Sequence, residues 1–386
     1  MKILCISMLE FLRHYIGKLL KIKLLLTFLI STSIFGQEII HIGRSTKGLL
    51  LGDAYTARAD DEFTLFYNPA ALGRNTGIQI SPLNPQLGVT NALDEIDRFE
   101  DFPSDDPVAI SDRLLGFPVF AQAGIFPGLK MATFGFNLFA QTRTSALLQN
   151  ATHPTLDLDY RLDRGFVAGF AFNFGSKSTG RRTSFGISLK HSQREGVTGM
   201  FDLFGTDLLS KISDSGSDLG IDEIRDSVGW SKGKAWGVDL GFEQAFKTQY
   251  SEFTWAASIL DVGGTNYRRV SGDTDIPEQE MYINLGTNWK QNLGPFAYSF
   301  SVDLAPLNVY MPFMRRLHAG LEVEVPFVSF LAGYSEGFIS YGAEVRLWPV
   351  KIIAGFYSSE MGVELKEFES KRAVFQLNLL DVDIDL

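Results

Sequence analysis

The chain is almost without cysteine. Of its 386 residues only Cys5 carries a thiol, and it precedes the one apolar stretch near the N-terminus. This excludes disulfides and cysteine-based metal sites from the rest of the chain. Because Cys5 stands before the apolar stretch, it also lacks the position of a lipoprotein anchor. The stability of the protein must therefore come from packing, hydrogen bonds and charge.

Long apolar runs are missing as well. The longest, residues 24–35, is interrupted by threonine and serine and is too short for a membrane-spanning helix. It has the length of the apolar part of a secretory signal, with basic residues before it and Gly36 after it. We predict a signal peptide over 1–36, cleaved after Gly36. A start at Met8 and an uncleaved anchoring helix are the alternatives.

Positive charge is scarce. The chain has 35 basic and 45 acidic residues, which gives a net charge of −10. Removing residues 1–36 takes away five basic residues and one acidic residue, so the net charge falls to about −14. Nucleic acids are bound through lysine and arginine contacts to phosphate, so this balance predicts no nucleic-acid partner.

Recognisable catalytic motifs are also absent. The sequence has no phosphate-binding loop, no nucleophile elbow, no HExxH and no paired CxxC. We predict that the protein is not an enzyme and uses no cofactor or metal; an outer-membrane enzyme of the lipase or protease kind is the alternative, although no nucleophile stands in a recognisable context. The histidines share no metal-ligand spacing and stand at His14, His41, His153, His191 and His318.

Alternation of apolar and polar residues is abundant. In 296–304 aromatic and aliphatic residues occupy the even positions, while Ser299, Ser301 and Asp303 lie among the odd ones. A period of two identifies β-strands with one apolar face. The candidate strands are 77–90, 117–126, 132–143, 155–163, 165–174, 183–192, 234–243, 253–259, 281–290, 296–304, 317–325, 327–335, 338–347, 350–358, 361–368 and 371–386.

These strands predict an all-β fold, a transmembrane antiparallel β-barrel of about 14 strands formed by residues 77–386. Most are close to ten residues long, as a tilted membrane-spanning strand requires. Aromatic residues recur toward strand ends, where barrels carry interfacial girdles. Since the remaining chain has no apolar run of helix-spanning length, only strands could cross a membrane. A secreted β-sandwich, dry on one face, is the alternative.

Two acidic segments, 91–116 and 206–229, break the alternation. Their apolar residues recur at helical intervals, as do Leu93, Ile96 and Phe99. We predict long extracellular loops that carry short helices, because barrel loops are long on that side. They are either solvated loops or amphipathic flaps at the mouth of a binding site.

Residues 43–72 form a segment rich in small residues. It reads G-x(4)-G-x(3)-G-x-A-Y-x-A-x-A-D-D-x(5)-Y-N-P-A and resembles the N-terminal hatch of the FadL-type family of outer-membrane transporters. Its short spacing is closer to the PorV-like and TraF-like branches, which residues 233–241 and 261–265 also resemble. Its marker residues are Gly48, Gly52, Asp60, Asp61, Asn68, Pro69 and Ala70.

The resemblance implies a hatch over residues 37–76 that plugs the lumen of a 14-stranded barrel. Asp60 and Asp61 would hold the hatch by polar contacts with lumen arginine, lysine or backbone N–H groups. Glycine permits close packing against a wall, and Pro69 stiffens the turn. The sequence Asn68-Pro69-Ala70 is either an ordinary turn or a ligand contact.

The family also implies two alternative functions. The first is passive transport of hydrophobic small molecules, such as long-chain fatty acids, across the outer membrane of a Gram-negative bacterium. The second is a PorV-like structural or secretion-associated barrel that binds envelope proteins. Outer-membrane lipid would surround the protein in both. Fold alone does not decide between them.

The C-terminus departs from the aromatic ending of many outer-membrane barrels. Phe375, Leu377 and Leu379 share one phase of the alternation, whereas Leu380 and the apolar residues after it share the other. A bulge at Leu379–Leu380 would reconcile the two phases within one closing strand. The alternative is a closing strand that ends near residue 380, followed by an acidic tail.

Overall fold

A computed structural model describes residues 38–93, 96–101, 107–175, 180–202 and 229–384. Over these residues the chain forms one antiparallel sheet of 18 strands. The strands are β1 Ile78–Ser81, β2 Gln86–Thr90, β3 Pro118–Ile125, β4 Gly128–Met131, β5 Phe134–Gln149, β6 Thr155–Phe174, β7 Arg181–Asp202, β8 Ser231–Lys247, β9 Ser251–Leu260, β10 Arg268–Gly272, β11 Tyr282–Leu293, β12 Phe296–Leu304, β13 Leu317–Val325, β14 Val328–Ser335, β15 Phe338–Leu347, β16 Val350–Glu360, β17 Glu369–Leu379 and β18 Val382–Ile384.

The sheet closes into a 14-stranded barrel. Four short strands continue a neighbour after a break: β1 extends β2, β4 extends β3, β10 extends β9 and β18 extends β17. The seam closes where β17 pairs with β2, with Phe375 opposite Leu87. The predicted fold class is confirmed. Several strand assignments differ from the structure: 155–163 and 165–174 are one strand, β6, the ranges 77–90 and 371–386 are each divided into two strands, and 361–368 is a loop.

The two barrel ends differ. At one end, here called the short-turn end, brief turns such as residues 294–295 and 326–327 join the strands. At the other, the long-loop end, connections such as 91–117 and 305–316 are much longer. The first strand of the wall begins near Ile78 and the last one ends near Ile384, and these two residues pair at the short-turn end.

The barrel is apolar outside and polar inside. On β8, Trp236 and Leu240 are exposed, whereas Asp239 and Glu243 are buried. A soluble sandwich would place the apolar residues between its sheets, and here they cover the outer surface instead. The alternation found in the sequence therefore corresponds to an apolar exterior and a polar lumen, as in membrane-spanning barrels.

Short helices occur in the loops and at the N-terminal side. The helices Ile96–Phe99 and Pro107–Leu114 confirm the helical stretch predicted within 91–116. The stretch predicted at 206–229 lies, up to residue 228, outside the described residues. Among the described residues, no helix is long and apolar enough to span a membrane. The helices are α1 Thr46–Leu50, α2 Thr64–Tyr67, the 3-10 helix Pro69–Arg74, α3 Ile96–Phe99, α4 Pro107–Leu114 and α5 Phe313–Arg316.

Neighbouring wall strands are interrupted side by side. At Leu379–Leu380 the structure has a break and not the bulge within one strand: β17 ends at Leu379, Leu380 has a φ of 61°, and β18 follows from Val382. In the adjacent break between β1 and β2, the buried Asn84 side chain bonds both the N–H and the C=O of Phe126, each at 2.7 Å. This amide replaces two ladder bonds where the backbone leaves the sheet, so the wall stays hydrogen-bonded there.

Candidate functional site

Residues 38–76, here called the inner segment, pack inside the barrel. Ser45 begins α1 by accepting a hydrogen bond from the Gly48 N–H at 3.2 Å. The apolar side chains of the segment form a core with inward residues of the wall, so Leu50, Tyr55 and Phe63 are fully buried. The segment is too short to bury these side chains by itself, and the barrel supplies the remaining contacts.

Glycines set how closely the segment approaches the wall. Gly52 has a φ of +65°, and a Cβ there would lie 2.4 Å from the carbonyl oxygen of Tyr334. Within the segment itself, a Cβ at Gly48 would lie 2.9 Å from the hydroxyl oxygen of Tyr67. Across the lumen, a Cβ at the wall residue Gly186 would lie 2.2 Å from the nitrogen of Ala70. Close backbone packing therefore depends on glycines in both segment and wall.

Asn68, Pro69 and Ala70 form a helix start. The Asn68 carboxamide oxygen accepts from the Ala70 N–H at 3.0 Å, and Pro69 occupies the first position of the 3-10 helix. The Asn68 amide nitrogen also donates to the carbonyl oxygens of Thr56 and, on the wall, Phe242, at 3.3 and 3.4 Å. The three residues thus join two parts of the segment to β8.

Replacement of Asn68 separates these two roles. We expect Asn68→Ala to lower the free energy of unfolding by about 1–2 kcal/mol, because both the cap and the amide donor are lost. Asn68→Ser keeps a capping oxygen and loses only the amide donor, so it should cost less. Urea unfolding of the detergent-solubilised protein measures both values. Equal losses for the two variants would contradict a capping role.

The carboxylates of Asp60 and Asp61 bind groups of the inner segment itself. Asp60 pairs with Arg58. Asp61 accepts from Ser45 Oγ at 2.6 Å, Tyr55 Oη at 3.0 Å and its own neighbour Phe63 N–H at 2.9 Å. Burial, with the carboxylates of Glu62 and Asp60 nearby, raises the pKa of Asp61 to about 6.

A wall lysine reaches the same turn through the backbone. Lys130 Nζ on β4 donates to the carbonyl oxygens of Asp60 and Asp61, at 2.7 and 2.9 Å. The wall thus holds this turn by its main chain, while the two carboxylates order the segment internally.

Other charged residues tie the segment to the wall. Arg58 and Lys47 both pair with the fully buried Glu322 of β13, Lys47 at 2.8 Å. Near the other end of the segment, Arg74 binds Glu243 of β8 with contacts of 2.6–3.0 Å. Such pairs are satisfied only while the segment stays in place, since removing one partner leaves a buried charge.

Glu38 makes the densest ionic contact. Its carboxylate receives two parallel bonds from Arg372 of β17, at 2.6 and 2.8 Å, and another from Arg143 of β5. Arg44 lies 3.8 Å away. Burial by itself raises the pKa of the Glu38 carboxyl, but Arg143 and Arg372 more than offset this and hold it well below its ordinary value.

Cavities lie on both sides of the inner segment. At the long-loop end a cavity of about 620 Å³ has Glu38, Ile39 and Ile40 in its lining, with residues 275–278 opposite. At the short-turn end a charged cavity of about 390 Å³ is lined by Lys47 and residues 60–62 of the segment. A third space, of about 30 Å³, lies beside Asp53 and His318. The segment separates the two larger spaces.

Sequence reasoning found the segment but missed its strongest wall contacts. Glu38 and Arg58 were not singled out, nor were Glu322 and Arg372. A charged residue at a lumen-facing position of a strand could have indicated these contacts. Arg372, which lies between Lys371 and Ala373 on β17, is such a residue. A charge on that face must find a partner inside the barrel. Within the described ranges, no group of three or more His, Cys, Asp or Glu could hold a metal ion.

Comparison with known proteins gives structural likeness only. No family model and no curated protein matches the sequence. Among solved structures, the Pseudomonas putida toluene transporter TodX is 10% identical and matches 89% of this chain and 99% of its own, with a TM-score of 0.45. The Ralstonia pickettii toluene transporter TbuX is 11% identical over 88% and 99%, with a TM-score of 0.44.

A Pseudomonas aeruginosa FadL homologue gives similar values: 11% identity, 88% of this chain, 98% of that chain and a TM-score of 0.44. At such identities and TM-scores these likenesses carry neither a ligand nor an activity over to this chain.

Proposed function

We propose that the protein is an outer-membrane barrel for passive transport of hydrophobic small molecules, of which long-chain fatty acids are one candidate class. The inner segment would act as its hatch. The observation that carries the proposal is the cavity of about 620 Å³ that opens above this segment. Its volume is that of a small-molecule site, and Ile276, Tyr282 and Met311 give it apolar surface beside polar groups.

The structure corresponds to a closed form under this proposal. The lumen beside the segment is packed, and ion pairs such as Arg74 with Glu243 cross from segment to wall. A ligand in the cavity of about 620 Å³ at the long-loop end, here called the upper cavity, therefore reaches the short-turn end only after the segment shifts. Ion pairs between segment and wall are suited to this, because ligand binding can exchange one set of polar contacts for another.

Insertion in the outer membrane is part of the proposal. It is supported by the closed barrel and its apolar outer face, and by the signal peptide predicted over 1–36. Long loops would then face the exterior and short turns the periplasm.

Contact between the outer face of the barrel and lipid can be tested separately. Phe300 is exposed in the middle of β12 between Trp289 and Leu321. We expect Phe300→Lys to destabilise the barrel by about 2–4 kcal/mol in lipid vesicles, because a charge at the bilayer midplane is costly. Phe300→Leu is the control, with little loss. Unfolding in urea measures both, and an unchanged value for the lysine variant would argue against lipid contact.

Transport is tested by the ligand that the protein retains. Mass spectrometry of lipids bound to the detergent-purified protein should show hydrophobic molecules that are absent from a variant lacking residues 37–75. Ile276→Trp, which fills the upper cavity, should also lose them. Ile339→Trp places the same bulk at an exposed wall position and should keep them. Equal retention by both tryptophan variants would contradict a ligand site in this cavity.

One observation favours a second candidate, a PorV-like barrel that binds envelope proteins. A hollow of about 560 Å³ lies on the outer wall, lined almost wholly by apolar groups including Val89, Ile96 and Phe356. Such a surface suits an apolar partner element. Affinity purification from envelopes after mild cross-linking tests it: a specific partner lost in Val89→Glu would support this function over transport.

A further inference from the structure

Basic side chains form a row on the outer face of neighbouring wall strands. Arg164 of β6 lies opposite Gln193 of β7. Gln193 in turn lies opposite Lys234 of β8, whose other neighbour is Arg268 of β10. Residues paired in this way point to the same face of a sheet, and all three basic residues are exposed. The four residues, here called the basic row, span about 14 Å, since neighbouring strands lie about 4.8 Å apart.

An aromatic row lies directly beside the basic row, toward the short-turn end. Phe166, His191 and Trp236 are paired across the same strands, two residues along from Arg164, Gln193 and Lys234. Their rings touch, with centroids 5.6 Å apart for Phe166 and His191 and 4.7 Å apart for His191 and Trp236. Aromatic residues of membrane barrels collect where the apolar band meets the polar head groups. The basic row therefore lies just on the polar side of that boundary.

The length of β6 places the boundary at the same level. The strand ends with Phe174 at the short-turn end, and Arg164 lies ten residues before it. A tilted membrane-spanning strand needs about 9–11 residues, so Phe174 and Arg164 lie at opposite surfaces of the apolar band. In the orientation proposed above, the basic row lies at the level of the head groups of the outer leaflet.

Positive charge exceeds negative charge at this place, although the chain as a whole has 35 basic and 45 acidic residues. The nearest outward carboxylate, Glu195, pairs with Lys232 at 2.7 Å and lies 3.8 Å from Arg164. It balances only one of these two charges. Among the described residues, no carboxylate pairs with Lys234 or Arg268. The row therefore presents cations that the protein itself leaves without a counter-charge.

The basic row is confined to one side of the barrel. At the long-loop ends of β12, β13 and β14, the outward residues are Leu304, Leu317 and Tyr334. None of these is charged. A concentration of cations on adjacent strands at one level is suited to a single anionic group, since several donors can then reach its oxygens together.

We propose that the basic row binds the phosphorylated head group of a lipid in the outer leaflet. Arginine and lysine are the side chains that bind phosphate oxygens best. The acyl chains of this lipid lie along the aromatic row and the apolar wall below it. The lipid is thus held outside the lumen, at a place separate from the upper cavity. The inference rests on the membrane insertion and orientation proposed above, and it does not depend on transport.

Lipid binding is measured by native mass spectrometry of the protein in a neutral detergent. The probes are dioleoyl phosphatidic acid, dioleoylglycerol, which lacks the phosphate, and inorganic phosphate. We expect Lys234→Gln and Arg268→Gln each to bind phosphatidic acid about fivefold more weakly. This change corresponds to about 1 kcal/mol for each basic residue near an anionic lipid surface. The affinity for dioleoylglycerol should stay unchanged in both variants.

Two control variants locate the bound lipid. Lys366→Gln removes an exposed positive charge at the same end of the barrel, in the loop between β16 and β17. It should bind phosphatidic acid as wild type does. Ile276→Trp fills the upper cavity and should also leave the affinity for phosphatidic acid unchanged. Heat-dependent gel mobility confirms that each variant is folded.

The outcomes separate the inference from the proposed function. A loss confined to Lys234→Gln and Arg268→Gln supports the lipid site. Unchanged binding in both variants, or an equal loss in Lys366→Gln, would overturn the inference and leave transport standing. Loss of phosphatidic acid binding in Ile276→Trp would overturn it as well, and would place the lipid in the upper cavity. Inorganic phosphate that binds as tightly as phosphatidic acid would overturn the assignment to a lipid.

Discussion

Replacing Gly52 with valine should dislodge the inner segment. The residue has a φ of +65°, and a Cβ would lie 2.4 Å from the carbonyl oxygen of Tyr334 and 2.7 Å from that of Ala319. Both are backbone atoms of hydrogen-bonded wall strands, so neither can move aside easily. We expect a loss of about 2–5 kcal/mol, the sum of left-handed backbone strain and overpacking.

The measurements are proteolysis of the inner segment and ion conductance in planar bilayers, which should both rise. Gly294→Val is the matched control: its φ is +70°, but a Cβ there has open space around it. It should show the backbone strain without the collision, and no increase in conductance. If both variants had the same conductance as wild type, close packing at Gly52 would not be what holds the segment.

Replacing Arg58 with methionine should have the largest effect among the ion pairs. Arg58 is buried, pairs with Glu322 and Asp60, and donates to the Ser299 hydroxyl at 3.3 Å. Its loss leaves Glu322 with only Lys47 as a cationic partner among the described contacts. Breaking a buried pair in this way costs about 3–5 kcal/mol, which unfolding in urea will measure.

A double variant tests whether the pair itself is responsible. Arg58→Met together with Glu322→Gln removes the buried charge left behind, so it should recover part of the stability lost in Arg58→Met alone. Arg269→Met is the exposed control. Its pair with Asp275, at 3.1 Å, lies in solvent and should contribute less than about 1 kcal/mol. Similar losses for Arg58→Met and Arg269→Met would show that burial of the ion pair is unimportant.

The barrel could be predicted because each strand carries its own signal. The alternation in 296–304 depends on neighbouring residues alone, and it places Ser299 and Ser301 inside as the structure does. Strand boundaries were harder. Nothing between 163 and 165 breaks the sequence pattern strongly enough to decide the length of β6. Residues 361–368 have apolar residues at strand-like spacing, but backbone N–H groups of this stretch donate to the side-chain carboxylates of Glu360 and Glu367.

The inner contacts could not be predicted in the same way. The small residues and the Asn68-Pro69 turn identified the segment, since close backbone packing and a helix start each require particular residues at neighbouring positions. The partners of Glu38 lie on β5 and β17, and no local pattern relates positions so far apart. Asp60 and Asp61 drew attention as an acidic pair, yet their carboxylates bind within the segment. Charge in the sequence indicated that partners must exist, without indicating which ones.

The placement of Glu38 also constrains the order of folding. Arg372 lies 334 residues further along the chain, on the strand that closes the barrel against β2. The binding place of Glu38 is therefore complete only after the last long strand has paired. Contacts of such sequence separation form late, because chain closure must come first. Residues on the N-terminal side of the chain thus reach their final positions only after its C-terminal strands have paired.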